Sequence, residues 1–332
     1  MMSNNWSVRR AIPFGLLILL AQLFTTWPAH AWNNVGHRTI AELAWRQMDD
    51  DERRAASELL RQHPHYQQYL AADVPAGVGT NEWVFLTAAV WPDWVRPAKK
   101  GQPHKSRSVT KYNLYPHAIG HPFLRAGDTN HALLQNFHIA QPNAEMVLSD
   151  SIATLRNPKA SAHDRAVSLC WVLHLFGDLH QPLHAANRVT AERPHGEGLG
   201  GDHFVLDARG QQINLHKFWD QLPGVTPGYK TVATLADSLE ADTELKPAQL
   251  KEYRENKTVP AWVQESFRAA VDFAYAEDQI QFTHADALKS GHTRASEIPT
   301  LQAGYHDRAR EIARRRLVLA GRRLADVLKE VW

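Results

Sequence analysis

The chain has 332 residues, 44% hydrophobic and 22% charged, with a formal net charge of +2 at pH 7. That is the balance of a globular protein able to bury a sizeable core, and it excludes a strongly basic, charge-driven nucleic-acid binder. Its single cysteine, Cys170, excludes an intramolecular disulfide.

Arg9 and Arg10, an apolar run from Ala11 to Phe24 and the small-x-small end Ala29-His30-Ala31 predict a secretory signal peptide over residues 1–31, cut after Ala31. The run is short for a membrane span and nothing later is apolar enough to be one, so no anchor is expected after cleavage and the location is periplasmic or secreted. Removing the two arginines leaves Lys+Arg and Asp+Glu equal at 35 each. An exported domain over 32–332 without disulfides needs another staple, and nineteen histidines make metal the candidate.

From Trp32, the spacing of Ile40, Leu43, Ala44, Leu59 and Leu60 predicts one or two helices, with His37 near the first start. Trp83 to Val90 predicts a buried helix leading into Trp91-Pro92-Asp93-Trp94-Val95-Arg96, where Pro92 and Pro97 bracket Asp93 in a turn. Residues 98–108 form a basic loop. Tyr112 to Phe123, around His117, is extended or a short hairpin, and Asn130 to Leu155 returns to helical spacing. An apolar helix runs from His163 to Asp178 and ends before Pro182. After a glycine-rich loop, Arg193 to Asp202, a hairpin pairs Phe204-Val205-Leu206 with Ile213, and a helix carries His216 and Asp220. Leu222 to Pro260, with prolines, glycines and short polar helices, is a long surface excursion rather than a linker between domains. Ala261 to Ala287 and Tyr305 to Val331 are two long amphipathic helices, the last with arginines opposite its apolar stripe. The fold class is mainly α, a single multi-helix domain with a minor β-hairpin.

His174 and Asp178 are four residues apart in an apolar helix, which sets them roughly 40° apart around the axis and about one turn along it. Buried histidine and aspartate require partners, and a metal ion satisfies both. His216 and Asp220 repeat the spacing, and His184, past Pro182, can point back at either pair. A histidine–carboxylate set without thiolates favours zinc. His180 is out of phase and suits a supporting role in the core. If cleavage follows Ala31, the Trp32 α-amine and carbonyl can chelate an ion beside His37, the alternative being that Trp32 simply packs.

These residues resemble the zinc-dependent single-strand-specific nucleases of the S1/P1 type, whose fold is related to that of zinc-dependent phospholipase C. The likeness runs from Trp-x-x-x-Gly-His at Trp32 to Ala320-Gly321-Arg322-Arg323-Leu324-Ala325, and its central signature, His-x-x-Gly-Asp-x-His-Gln-Pro-Leu-His, stands intact over His174 to His184. The resemblance implies three zinc ions. Trp32 and His37 would hold one, Asp93, His117 and His174 a second, with Asp178 bridging them, and His184, His216 and Asp220 the third. Pro122, five residues after His117, selects His117 over the nearby His121. The implied reaction is hydrolysis of phosphodiesters in single-stranded DNA or RNA to 5′-nucleotides, with removal of 3′-phosphates as a further activity. Asp93 and Asp178 would serve catalysis, and Arg96 would neutralise charge growing on the phosphate.

The sequence departs from that pattern where substrate would sit. Ala118 stands where the family usually has an aromatic after its histidine, and Asp202 follows Gly200-Gly201 where the family has asparagine, replacing an amide donor with an acceptor. No stable protein partner is implied. Two alternatives remain open at this point: a phospholipase C-like head-group hydrolase, although Asp220 is the shorter acid typical of the nucleases, and a noncatalytic zinc-binding protein.

Overall fold

The computed structural model describes residues 32–95, 112, 116–276 and 279–332. In chain order the elements are α1 (Asn34–Gln47), α2 (Asp50–Leu60), α3 (Thr80–Ala88), α4 (Trp91–Trp94), β1 (His121–Leu124), α5 (Ala132–Gln135), α6 (Ala144–Arg156), α7 (Ala162–His180) and α8 (Pro182–Ala185). There follow β2 (Ala186–Val189), β3 (His203–Leu206), β4 (Gln212–Asn214), α9 (Leu215–Asp220), α10 (Tyr229–Ala241), α11 (Lys251–Glu255), α12 (Val259–Ala269), β5 (Thr283–His284), α13 (Ala285–Lys289) and α14 (Ala303–Lys329). The fold is mainly helical, and no helix among the described residues is long and apolar enough to cross a membrane.

Helix α7 is the axis. Ser161 caps it, its hydroxyl accepting from Asp164 N at 3.0 Å, and every residue from Leu169 to His180 is buried. Helices α1, α6, α12 and α14 pack around it. Each fully buried leucine or phenylalanine along it contributes about 1.5–3 kcal/mol. The helix stops because Gln181 precedes a proline and is held extended (φ −82°, ψ 118°). Pro182 then starts α8, whose single turn brings His184 back towards the end of α7. Gly321 lets α14 lie against α1, since a Cβ there would stand 2.7 Å from the Leu43 Cβ.

Two small sheets complete the described residues. β3 pairs antiparallel with β4, the hairpin expected from Phe204 to Ile213, and β5 adds a third strand on the other side of β3. The Tyr112 to Phe123 region, expected to be extended or a short hairpin, is described only at Tyr112 and from Pro116 onwards. Its last residues enter β1, which runs parallel to β2 in the register His121↔Ala186.

Four expectations need correction. The Pro92 segment is a helical turn rather than a loop turn, because proline fits the first turn of a helix where its missing N–H goes unneeded. Asn130 to Leu155 is broken into α5 and α6, with a cis Gln141–Pro142 bond between them. The 222–260 excursion contains α10, which buries Val232, Ala236 and Leu239 and packs on α1. Ala261 to Ala287 is one helix only as far as Ala269; beyond lie a π-turn, β5 and α13.

Candidate metal centre

Three groups of histidine and aspartate converge at the end of α7. His37, His174 and Asp178 form one, Asp93, His117 and His174 a second, and His184, His216 and Asp220 a third, each with ligand-type atoms within 4.8 Å of one another. His37 comes from the first turn of α1, which Asn33 caps by accepting from Val35 N and Gly36 N. Its ring stacks on His174 with centroids 4.0 Å apart. That approach is possible because residue 177 is glycine: a Cβ there would stand 2.5 Å from His37 Nδ1.

Asp178 lies between the first two groups. Its Oδ1 is 3.4 Å from His37 Nε2, while Oδ2 is 3.0 Å from His117 Nδ1 and 3.2 Å from His174 Nε2. Asp93 Oδ1 lies 3.7 Å from His174 Nε2 and 3.9 Å from His117 Nδ1. Burial alone would raise the Asp178 carboxyl, but His174 and His117 outweigh it and hold it well below the usual carboxylate range. Burial, then the neighbouring His174, lowers His37 to about 3, so its imidazole is neutral and able to ligate.

The orientation of the rings decides whether metal fits. His174 Nδ1 donates to Ala89 O at 2.7 Å, His184 Nδ1 to His117 O at 2.6 Å and His216 Nδ1 to Leu199 O at 2.8 Å. A carbonyl only accepts, so each Nδ1 carries the proton and each Nε2 of a neutral ring presents a lone pair. In the third group the Nε2 atoms of His184 and His216 face each other at 3.1 Å, an opposition that a cation between them relieves. His37 Nδ1, His37 Nε2 and Asp178 Oδ1 are buried and make no hydrogen bond among the described residues. Such orphaned polar atoms are costly unless an ion takes them up. Backbone-anchored imidazoles with inward lone pairs, beside carboxylates and without thiolate, suit zinc.

Three local devices hold this arrangement. Ile119 N and Gly120 N donate to His184 O at 2.9 and 3.0 Å, so the His117 segment and α8 are latched together where β1 meets β2. Gln181 Nε2 donates to Asp220 Oδ1 at 2.8 Å, leaving Oδ2 towards His216 at 3.7 Å. Asn187 Oδ1 accepts from Glu197 N (2.9 Å) and Leu199 N (3.4 Å), fixing the glycine-rich turn whose Leu199 carbonyl holds His216.

The other expected site residues lie around these groups. Trp32 is fully buried and packs its Cβ against Gly36, where a Cβ would stand 2.5 Å away; the next amide, Asn33 N, donates to Asp220 O at 3.1 Å. His121 sits outside the groups, edge-on to Phe267. Ala118 is half-buried, and its carbonyl accepts from Ala144 N. Asp202 is half-buried at the end of the glycine-rich turn, outside all three groups. Arg96 and residues 1–31, with the signal segment and its cleavage point, lie outside the described residues. His180 is a core residue, its Nδ1 donating to Phe176 O and its Nε2 facing Arg323. Sequence reasoning assigned no role to Gln181, Asn187 or the carbonyls of Ala89 and Leu199. Gln181 stood in the signature, but backbone acceptors leave no mark in a sequence.

The family model described as S1/P1 Nuclease matches residues 32–332. Endonuclease 5 of Arabidopsis thaliana is 24% identical over 314 residues, covering 92% of this chain and 91% of the relative. Endonuclease 1 of the same plant is 22% identical over 335 residues, covering 98% and 94%, and its Endonuclease 3 is 24% identical over 331 residues, covering 99% and 97%. With a family match spanning all three His/Asp groups and similarity to named endonucleases along nearly the whole chain, this protein belongs to the S1/P1 nuclease family, hydrolases of nucleic-acid esters.

Proposed function

We propose that the protein is an exported zinc-dependent phosphodiesterase that hydrolyses single-stranded DNA or RNA to 5′-nucleotides, removes 3′-phosphates from nucleotides, and works in the periplasm or outside the cell. The observation that carries this reading is the convergence of three His/Asp groups, two fully buried and one partly, with His174, His184 and His216 pinned by backbone carbonyls. Trp32, through its backbone amine and carbonyl, and His37 would hold one zinc, Asp93, His117 and His174 a second, and His184, His216 and Asp220 a third. Asp178, with one oxygen towards His37 and the other towards His117 and His174, would serve the first two.

When bound, zinc supplies Lewis acidity to the phosphoryl group and makes water acidic enough to attack near neutral pH. The chain does the positioning. Asp178 stays ionised in a buried pocket, so its charge is available without a proton to lose. Gln181 and Leu199 fix the Asp220 carboxylate and the His216 ring before substrate arrives, a preorganisation worth more in a dry site than in water. Arg96 would face the charge that develops on phosphate.

The test combines metal analysis with hydrolysis of single-stranded and duplex DNA. About three zinc ions per chain, preference for the single strand, loss of activity on chelation and a fall of more than about 100-fold in Asp178→Asn support the reading. Normal turnover by Asp178→Asn, cleavage of phosphatidylcholine instead, or bound zinc with no turnover of any phosphodiester overturns it.

A further inference from the structure

Beside the His/Asp groups runs a strip of aromatic rings. Helix α4 turns Asp93 towards His117 and His174, while Trp91 and Trp94, three residues apart, share another face. Trp91 is fully buried, and its Nε1 donates to His65 Nδ1 at 3.1 Å. From there the rings follow one another: His65 to Tyr69 at 5.2 Å and Tyr69 to Trp94 at 6.2 Å between centroids. Tyr112 closes the strip against both His65 (5.3 Å) and Trp91 (5.6 Å). These separations lie in the range where aromatic pairs attract beyond their area of contact. Tyr69 is presented by a π-turn over Tyr66–Leu70, a geometry common at functional sites.

The strip ends at the surface in Trp94, which is 38% exposed. Of the tryptophans among the described residues, only Trp94 and the terminal Trp332 are exposed. An indole that is partly exposed, contacts Tyr69 on one side and lies one residue from Asp93 has the form of a stacking surface. We propose that Trp94, backed by Tyr69, is the platform on which a nucleobase of single-stranded substrate stacks while its phosphodiester lies at the His/Asp groups. This rests on the nuclease reading of the same site and gives it a physical source of strand preference. Bases in a duplex are already stacked on their neighbours, so only an unpaired strand can offer a free face to the indole.

The experiment compares hydrolysis of a short oligodeoxynucleotide with that of an abasic oligomer of equal length, using the zinc-loaded protein. Trp94→Leu keeps an apolar side chain and removes the π-face. It is expected to lower the ratio of kcat/KM for the base-bearing over the abasic substrate about tenfold or more, chiefly through KM, with Trp94→Phe retaining most of the ratio. Tyr69→Ala is expected to lower it less. Equal losses on both substrates in Trp94→Leu, or no change in the ratio, overturn the platform while leaving the nuclease reading in place. Wild-type protein that cleaves neither substrate overturns both.

Discussion

The chemistry of the centre rests on which ring nitrogen each histidine turns inward. His174, His184 and His216 owe that choice to single carbonyl acceptors at 2.6–2.8 Å, and His37 owes its place to the missing side chain at Gly177. Gly177→Ala would drive a methyl group to 2.5 Å from His37 Nδ1, and the His37 ring is fully buried and stacked on His174. The expected outcome is loss of zinc from the His37 group together with a destabilisation of about 1–3 kcal/mol. Zinc content per chain and a urea unfolding curve check it; full zinc loading with unchanged stability would show that His37 yields at no cost.

Among the elements, α7 carries ligands, and α12 and α14 hold its end in place. Arg316 Nε donates to His180 O at 3.1 Å, and Glu265 accepts from Arg316 (2.6 Å) and Arg323 (2.8 and 2.7 Å). Glu265→Ala would leave two buried guanidinium groups without their shared counter-ion, an arrangement that costs about 3–5 kcal/mol. A denaturant midpoint that does not fall would contradict that role. The same network marks where sequence pattern stopped being informative. The long α14 was legible from its 3.6-residue apolar stripe, and the end of α7 from Pro182. Arginines read as a solvated face, however, and Arg316 and Arg323 are buried, because their partners Glu265 and His180 lie 51 and 143 residues away. The β1–β2 pair was illegible for a similar reason: a parallel pair joined across some sixty residues has no local turn signal, yet it latches His117 to His184. In the 222–260 stretch short polar helices were expected, but α10 runs 13 residues and buries Val232, Ala236 and Leu239, a face the flanking prolines and glycines obscured.

At the scale of the whole molecule, the site is assembled from the start of the described chain, its middle and the loops between, with Asn33 tied to the last residue of α9 and the His117 segment tied to α8. Helical periodicity alone sets His174 with Asp178 and His216 with Asp220, while the grouping of His37, Asp93 and His117 with them entered only through the family resemblance. It left open how distant segments meet, which depends on backbone hydrogen bonds and on the turn after Gly196. The proposed stacking residue was least legible, because Trp94 is one aromatic among many until its exposure and its neighbours are known. Each of these three groups is proposed to hold zinc. Diffraction from crystals of the purified protein, recorded on both sides of the zinc absorption edge, tests it most directly. Three anomalous peaks are expected, one within each of the groups at His37–His174–Asp178, Asp93–His117–His174 and His184–His216–Asp220. Fewer peaks in zinc-replete protein, or peaks elsewhere, would contradict it.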